Sequence, residues 1–428
     1  MKYFHRRLQD TIQPWLKKPD ILVILGARQV GKTSLLTLLE DDLKGLWGNS
    51  KNILTFNLED TDHLAALNRD PKYFKEYLTF SGADPKKDSV VMIDEIQYLD
   101  DPSHFLKYLA DFEPTLKLIV TGSTSIQIKK FKDGLTGRKK SFHLFPLDFR
   151  EFVLFKGEKR LSSIQDKFFF KDILSNQTEL DPQTILPFKN DFETLFEEYS
   201  LYGGYPKVVL AGSRDEKLQE LQEIFKTYEL KDVNVLFNVG NISAFRSLFR
   251  LMASNIGNLL NIDEVSGTLG IGRDTVKRYL SVLENSFVLH FLHPFHSNVR
   301  KELTKMPKLF FLDTGMRNFA IKNFSELSFR PDRGRLFENA IFGELYKDLG
   351  VIDQLFFWRT LSKNEVDFIL TGNQNIAIEA KLTSDRLLKK PSGLRAFGKI
   401  YPEFEHLVAT MSQLAFFERI HYLPAWMI

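Results

Sequence analysis

Lys32 and Thr33 close the run Gly26-Ala27-Arg28-Gln29-Val30-Gly31-Lys32-Thr33, which Ser34 follows. Gly26 and Gly31 let backbone N–H groups close around a triphosphate, Lys32 can reach its β and γ oxygens, and the Thr33 hydroxyl suits Mg2+. Every residue from Gly26 to Ser34 is thus a candidate nucleotide contact. Further along, Val90-Val-Met-Ile93 ends in two adjacent acids, Asp94 and Glu95. Asp94 can hold the hydration shell of the metal ion, and Glu95 can polarise the attacking water as a general base. By itself an apolar run ending in two acids reads as a strand and a solvated turn. Following a phosphate loop, it reads as a hydrolytic pair. Leu118-Ile-Val120 then ends in Thr121-Gly-Ser123-Thr-Ser125, small hydroxyls placed to bond the γ-phosphate or the water. The choice between Thr121 and Ser123 is not readable, and a strand-end turn is the structural alternative. Arg138, in Leu135-Thr-Gly-Arg138-Lys-Lys140, has three readings: a phosphate contact in cis, an arginine finger for a neighbouring subunit, or a solvated cation.

Two further groups lie in the second half. Asn261 to Leu283 reads as a short helix, a Gly-containing turn and a second helix. The second helix opens with Arg273 and exposes Lys277 and Arg278, while Val276, Leu280 and Leu283 face inward. With Phe287–His293 as a strand, this makes a winged helix, and Arg300, Lys301, Lys305 and Lys308 extend its basic stretch. Such a face can sit on DNA through Arg273, Lys277 and Arg278, or serve as a lid or a protein contact. The last group is Asp367 followed by Glu379-x-Lys381. Residues two apart on a strand share a face, so Glu379 and Lys381 stand together, beside Asp367 from the neighbouring strand and Glu338 from a helix. That spacing resembles the PD-(D/E)xK nuclease fold. It makes Glu338, Asp367 and Glu379 candidate Mg2+ ligands and Lys381 the candidate catalytic lysine that positions or deprotonates a water. A surface ion pair is the plain alternative for Glu379 and Lys381.

These residues need elements to position them. Ile21–Leu25 is short and aliphatic, as a strand buried on both faces should be, and Ser34–Glu40 reads as a helix whose N-terminus points at the loop. Leu8, Ile12, Trp15 and Leu16 mark an amphipathic helix before it, and Asn52–Asn57 a second strand. Glu59, Asp60 and Asp62 read as a solvated loop. Residues 154–200 have no clean period and read as a variable helical insertion. Tyr202-Gly-Gly-Tyr-Pro206 is a tight turn, and 214–238 a long helix. Lys308–Asp313 is a strand, Arg330–Arg335 a charged linker, Leu336–Leu345 a helix. Phe356–Thr360, Glu365–Leu370 and Ile376–Lys381 are strands.

The blocks GARQVGKT, VVMIDEIQ, LIVTGSTS, LTGR and FPLDFREF occur in the order seen in the predicted AAA+ superfamily ATPases of bacteria and archaea. The chain resembles that family over nearly its whole length. The resemblance implies an AAA+-like core in which the Thr121–Ser123 segment takes the position called sensor 1. It also implies a helical lid carrying the Gly-Gly-Tyr-Pro turn, and a C-terminal domain of unknown function introduced by the Lys308–Gly315 block, with Asp313 structural. The expected fold is therefore α/β: a P-loop NTPase parallel-sheet core with a helical lid, a winged helix and a restriction-endonuclease-like C-terminal domain. Boundaries fall at 1–155, 156–245, 246–305 and 306–428.

Composition agrees with a multidomain globular chain: 428 residues, 43% hydrophobic and 26% charged. A net charge of +3 says little about a polyanionic partner, and the absence of Cys excludes disulfides, thiolate metal sites and Cys nucleophiles. Met1–Arg7 lacks an apolar signal core and no run is long enough to span a membrane, so a cytoplasmic protein is expected. The expected activity is Mg2+-dependent ATP binding and hydrolysis, acting on or with DNA. The alternative is a nucleotide-controlled switch that binds a protein partner through an inactive nuclease-like scaffold. Assembly into an oligomer is open, with Arg138 the candidate arginine in trans.

Overall fold

Ile21–Leu25 (β1) is buried at all five positions, because parallel neighbours cover both its edges and helices both its faces. The computed structural model describes residues 3–48, 50–123, 135, 137–175, 182–237, 239–296, 306–382 and 390–428. Arg300, Lys301 and Lys305 of the expected basic stretch lie outside the described residues, as do Thr124, Ser125 and Thr136. The chain forms two compact units: Met1–Phe145 with Asn285–Phe287, and Pro146–Glu284 with Val288–Ile428.

The first unit is built on an all-parallel sheet of β1, β2 (Asn52–Asn57), β3 (Ser89–Asp94), β4 (Leu116–Gly122) and β5 (Lys139–His143), in the order β2-β3-β4-β1-β5. Leu35, Leu36, Leu39 and Leu43 of the Lys32–Trp47 helix are buried at helical spacing, which fixes that helix to the sheet with its N-terminus at the end of β1. The register then does the positioning. Ile24 and Leu25 pair with Thr121 and Gly122, and Asn57 pairs with Asp94. The phosphate loop, Thr121 and Asp94 thus reach the carboxyl edge of the sheet at one level, where ligands of open parallel sheets bind.

The second unit joins several expected pieces. The helix Phe149–Phe155 belongs here, although its sequence block suggested the ATPase core up to residue 155. Phe149 packs edge-on against Phe196 (5.1 Å), and Phe196 lies 6.2 Å from Phe337 of the helix Arg333–Lys347. The helical stretch expected as a lid is therefore continuous in packing with the C-terminal part. The shared aromatic core decides this, and no local pattern announces it. The expected long helix 214–238 turns at Tyr228 from α to a wider π-helical winding that runs to Leu236.

Ile242–Ser254, Ile262–Leu269 and Arg273–Asn285 are helices, followed by β6 (Leu289–Leu292). β6 pairs antiparallel with β7 (Lys308–Phe311), so the boundary expected at 305/306 falls inside this ladder. β7 is tied on its other side by Asn339, which accepts from Phe311 N–H (2.9 Å) and donates to Phe311 C=O (2.8 Å). The C-terminal sheet has the order β12-β13-β11-β10-β9-β8. Its strands are β8 (Gln354–Arg359), β9 (Glu365–Thr371), β10 (Ile376–Lys381), β11 (Glu405–Thr410), β12 (Ala415–Phe417) and β13 (Ile420–Pro424). β10, β11 and β13 run parallel, with the Ser392–Ile400 helix crossing between β10 and β11, and β9 is antiparallel to β10.

Within the charged stretch Arg330–Arg335, Arg330 and Asp332 are tied into the fold, and Arg333 begins a helix. Asp332 pairs with buried Arg317 (2.6 Å) and Arg330 (2.9 Å), and Arg330 also donates to Asn318. Burial would raise the Asp332 carboxyl, but hydrogen bonds from Arg330 and Arg317 hold it down at about 2. With its folded pKa below the unfolded 3.8, the stabilisation is complete above about pH 4 and is lost as pH falls toward 2. Asp332→Asn is expected to cost about 2 kcal/mol at pH 7 and progressively less below pH 4, read from urea midpoints across that range.

Candidate functional site

At the carboxyl edge of the first sheet, Thr33 donates to Asp94 Oδ2 (2.5 Å) and Thr121 donates to Asp94 Oδ1. Thr121 also accepts from the Glu95 N–H (3.1 Å). One buried hydroxyl thus bonds to both acids, the side chain of Asp94 and the backbone of Glu95. Lys32 Nζ, at the start of its helix, donates to the Gly26 (3.1 Å) and Ala27 (3.0 Å) carbonyls and lies 3.7 Å from Glu95. Gly31 has φ +99°, a backbone that favours glycine, and a Cβ on Gly26 would fall 2.2 Å from the Leu144 carbonyl oxygen. Gln29 and Glu95 also have positive φ (+63° and +59°), which costs a non-glycine residue about 1 kcal/mol each and is found where surrounding contacts enforce it.

Several residues at this site have partners that the sequence did not assign them. Arg28 was placed in the nucleotide loop; the structure sets its guanidinium 3.8 Å from both Glu95 and Glu59, so Glu59 is not merely solvated. Asp60, its neighbour, caps the Thr61–Leu67 helix. Gln97 donates to Glu95 and to Ser123 Oγ (3.0 Å), linking the general-base candidate to the β4 end. Arg6 donates to the Val30 (2.8 Å) and Phe145 (2.9 Å) carbonyls and clamps the phosphate loop from the N-terminal segment. The sequence signal for Gln97 was its place two residues after Glu95; Arg6 had none, because its target is a backbone carbonyl.

Thr33 and Asp94 present hard oxygen donors that converge, so the residues fit Mg2+ beside a bound triphosphate. Arg138 does not fit the cis reading. Its carbonyl accepts from Ile21 N–H, at the amino end of β1, and its side chain pairs with Asp111 (2.5 Å). Five strand residues at about 3.3 Å each put it about 16 Å from the loop side of the sheet. Arg138→Ala is accordingly expected to leave nucleotide affinity within about twofold of the parent, measured by fluorescent-nucleotide titration.

Residues 18–153 match the family model described as "AAA domain". Residues 333–428 match a domain of unknown function (DUF4143), and residues 193–327 match another (DUF8612). An uncharacterized protein of Haemophilus influenzae is 28% identical over 376 residues, covering 85% of this chain and 82% of that protein. One of Methanocaldococcus jannaschii is 24% identical over 373 residues, covering 84% and 74%. Among solved structures, C. elegans PCH-2 aligns with a TM-score of 0.32 and 14% identity, over 49% of this chain and 60% of that one. Among the described residues no helix is long and apolar enough to cross a membrane.

The second candidate group lies in the second unit, and its residues do converge. The β9–β10 ladder pairs Phe368 with Ile378, and one step further brings Asp367 opposite Glu379; Asp367 also accepts from Ala380 N–H (2.8 Å). Lys381 pairs with Glu379 (2.7 Å). The surprise is Lys308, the first residue of β7. Its buried ammonium lies 3.0 Å from Glu338 and 2.6 Å from Glu365, and Arg359 is 3.5 Å from Glu365. Burial first, then the Asp367 charge, push Glu338 and Glu379 up to about 7. Burial also raises Asp367, against the pull of Lys308 and Lys381. For Lys308 burial works against the charge, but Glu338, Asp367 and Glu365 outweigh it and raise its pKa.

For the expected Mg2+ set of Glu338, Asp367 and Glu379, the geometry sets a competing cation beside one member. Among the described residues no three His, Asp or Glu side chains are disposed to hold a metal ion, and a lysine ammonium already occupies Glu338. The sequence reading placed Lys308 in the basic stretch extending the winged helix, but its side chain is buried on Glu338 and Glu365, acids that lie far along the chain and that no local pattern links to it. On the helix Arg273–Asn285, Arg273, Lys277 and Arg278 are exposed while Val276, Leu280 and Leu283 are buried. Arg273 is paired with Asp263 of the preceding helix, which offsets part of its charge.

Proposed function

We propose that this chain binds ATP with Mg2+ and hydrolyses its terminal phosphoanhydride. The observation that carries the reading is the hydrogen-bonded set Thr33–Asp94–Thr121–Glu95, at one level of the sheet and beside Lys32. When bound, Mg2+ would lie by Thr33 and Asp94 and neutralise charge on the β and γ phosphates. The backbone N–H groups of Gly26–Ser34 bind the phosphates, and Lys32 exchanges its carbonyl partners for phosphate oxygens. Glu95 accepts a proton from water as the water oxygen bonds to the γ-phosphorus. The bond from that phosphorus to the bridging oxygen breaks, and ADP leaves. Ser123, which accepts from Gln97, is the sensor in this reading.

The test is steady-state phosphate release with Mg2+ and ATP, with Lys32→Ala as the comparison. Full affinity and turnover in Lys32→Ala would sink the reading. A second reading, that the chain acts on DNA, is favoured by the exposed cations Arg273, Lys277 and Arg278 on one helix of a winged-helix-like arrangement. Replacing Lys277 and Arg278 by Glu is expected to weaken duplex DNA binding at least about tenfold at low salt and to flatten its salt dependence, by fluorescence anisotropy. Affinity indifferent to salt and to both substitutions would favour a protein partner. The acid and lysine order of β9 and β10 supports a nuclease-like fold for the C-terminal part.

A further inference from the structure

The C-terminal carboxylates look like a metal site by order of residues, yet their charges are already met from within. Glu338 sits on the helix Arg333–Lys347, Glu365 and Asp367 on β9, and Glu379 on β10. Against these four acids stand Lys308, Lys381 and Arg359, each within ion-pair distance of at least one of them. The formal balance is therefore a single negative charge, whereas affinity for a divalent ion grows with the number of uncompensated carboxylates around it.

Lys308 differs from the other two cations. Its side chain is 3% exposed, and it comes from β7, a strand of the β6–β7 ladder rather than of the C-terminal sheet. Its Nζ touches Glu338 and Glu365 together, and a Cβ added at Gly257, whose φ is +71°, would fall 3.1 Å from the other Glu338 oxygen. Only an ammonium with two short carboxylate contacts is stable at that burial; unpaired, it would shed its proton or stay solvated. We infer that Lys308 is the built-in cation of this cluster and holds the place a divalent metal ion would otherwise take. The cluster then serves as an ionic joint between the β6–β7 ladder and the C-terminal sheet. The buried Glu379 Oε2, which has no hydrogen-bond partner, is the oxygen left to receive a metal ion once the ammonium is removed.

The test is Mn2+ titrated into the full chain without nucleotide, followed by loss of the free-ion EPR signal. The parent and Asp367→Asn are expected to titrate alike, since neither has a tight ion at this cluster; any weak ion at the phosphate loop is common to both. Lys308→Met is expected to bind Mn2+ at least about tenfold more tightly than the parent, and adding Asp367→Asn should remove the gain. Micromolar binding by the parent that Asp367→Asn abolishes would overturn the inference, whatever Lys308→Met does. So would a Lys308→Met chain that melts like the parent and gains nothing. Should Lys308→Met fail to fold, the comparison of parent with Asp367→Asn decides alone. None of these outcomes depends on ATP turnover.

Discussion

Glu95→Gln is expected to lower phosphate release at least about a hundredfold while ATP affinity stays within about threefold of the parent. The side chain keeps its size and its place beside Lys32, Arg28 and Gln97, so the phosphate loop has no reason to change. What is lost is the carboxylate proposed to accept the proton from water. The Asp94 carboxylate cannot substitute, because both its oxygens are held, one by Thr33 and the other by Thr121. Single-turnover phosphate release and equilibrium nucleotide binding, measured on the same preparation, separate the two effects. Turnover near the parent level would remove Glu95 from the chemistry and leave the water without a base in this site. Loss of binding in step with turnover would mean that the substitution had disturbed the loop instead.

The second large effect is on stability. Gly204→Ala is expected to destabilise the second unit by about 3–5 kcal/mol, lowering its melting temperature by about 10 °C. A Cβ there would lie 2.2 Å from the Leu147 carbonyl oxygen. That oxygen accepts from Tyr199 Oη (3.0 Å) and Lys347 Nζ (3.0 Å), and Leu147 N–H donates to the Gly204 carbonyl (2.8 Å). Pushing the Leu147 backbone away would leave two buried donors unpaired as well as create the clash. Gly204 N–H in turn donates to Asp313 (2.7 Å), whose other oxygen caps the Thr314–Ile321 helix, as its structural reading required. A thermal melt of Gly204→Ala unchanged from the parent would show that this junction carries no such load.

The same contact explains two motifs that are far apart in the chain. Phe-Pro-Leu147 and Gly203-Gly204 look like independent turns, each with its own local reason for Pro or Gly. Gly203 does have the expected positive φ, +76°, but Gly204 is required by the approach of a carbonyl more than fifty residues earlier. Arg138 shows the opposite limit. Its place after a glycine and before two lysines suited a phosphate contact, but the direction of β5, parallel to β1, carries it to the far end of the sheet.

By itself the sequence determined the strands that lead into the phosphate loop and the acid pair, but not β5 or β11 to β13, because an aliphatic run, two glycines and paired acids are each dictated by neighbours a few residues away. It also determined which face of Arg273–Asn285 is exposed, since helical spacing sorts Val276, Leu280 and Leu283 from Lys277 and Arg278. Only the tertiary structure decided that Thr121 serves the acid pair, that the aromatic core joins the middle helices to the C-terminal sheet, and that Lys308 meets Glu338 and Glu365. Those outcomes depend on strand register and on charges brought together from distant parts of the chain. Burial then forces each charge to find a partner, whichever segment supplies it.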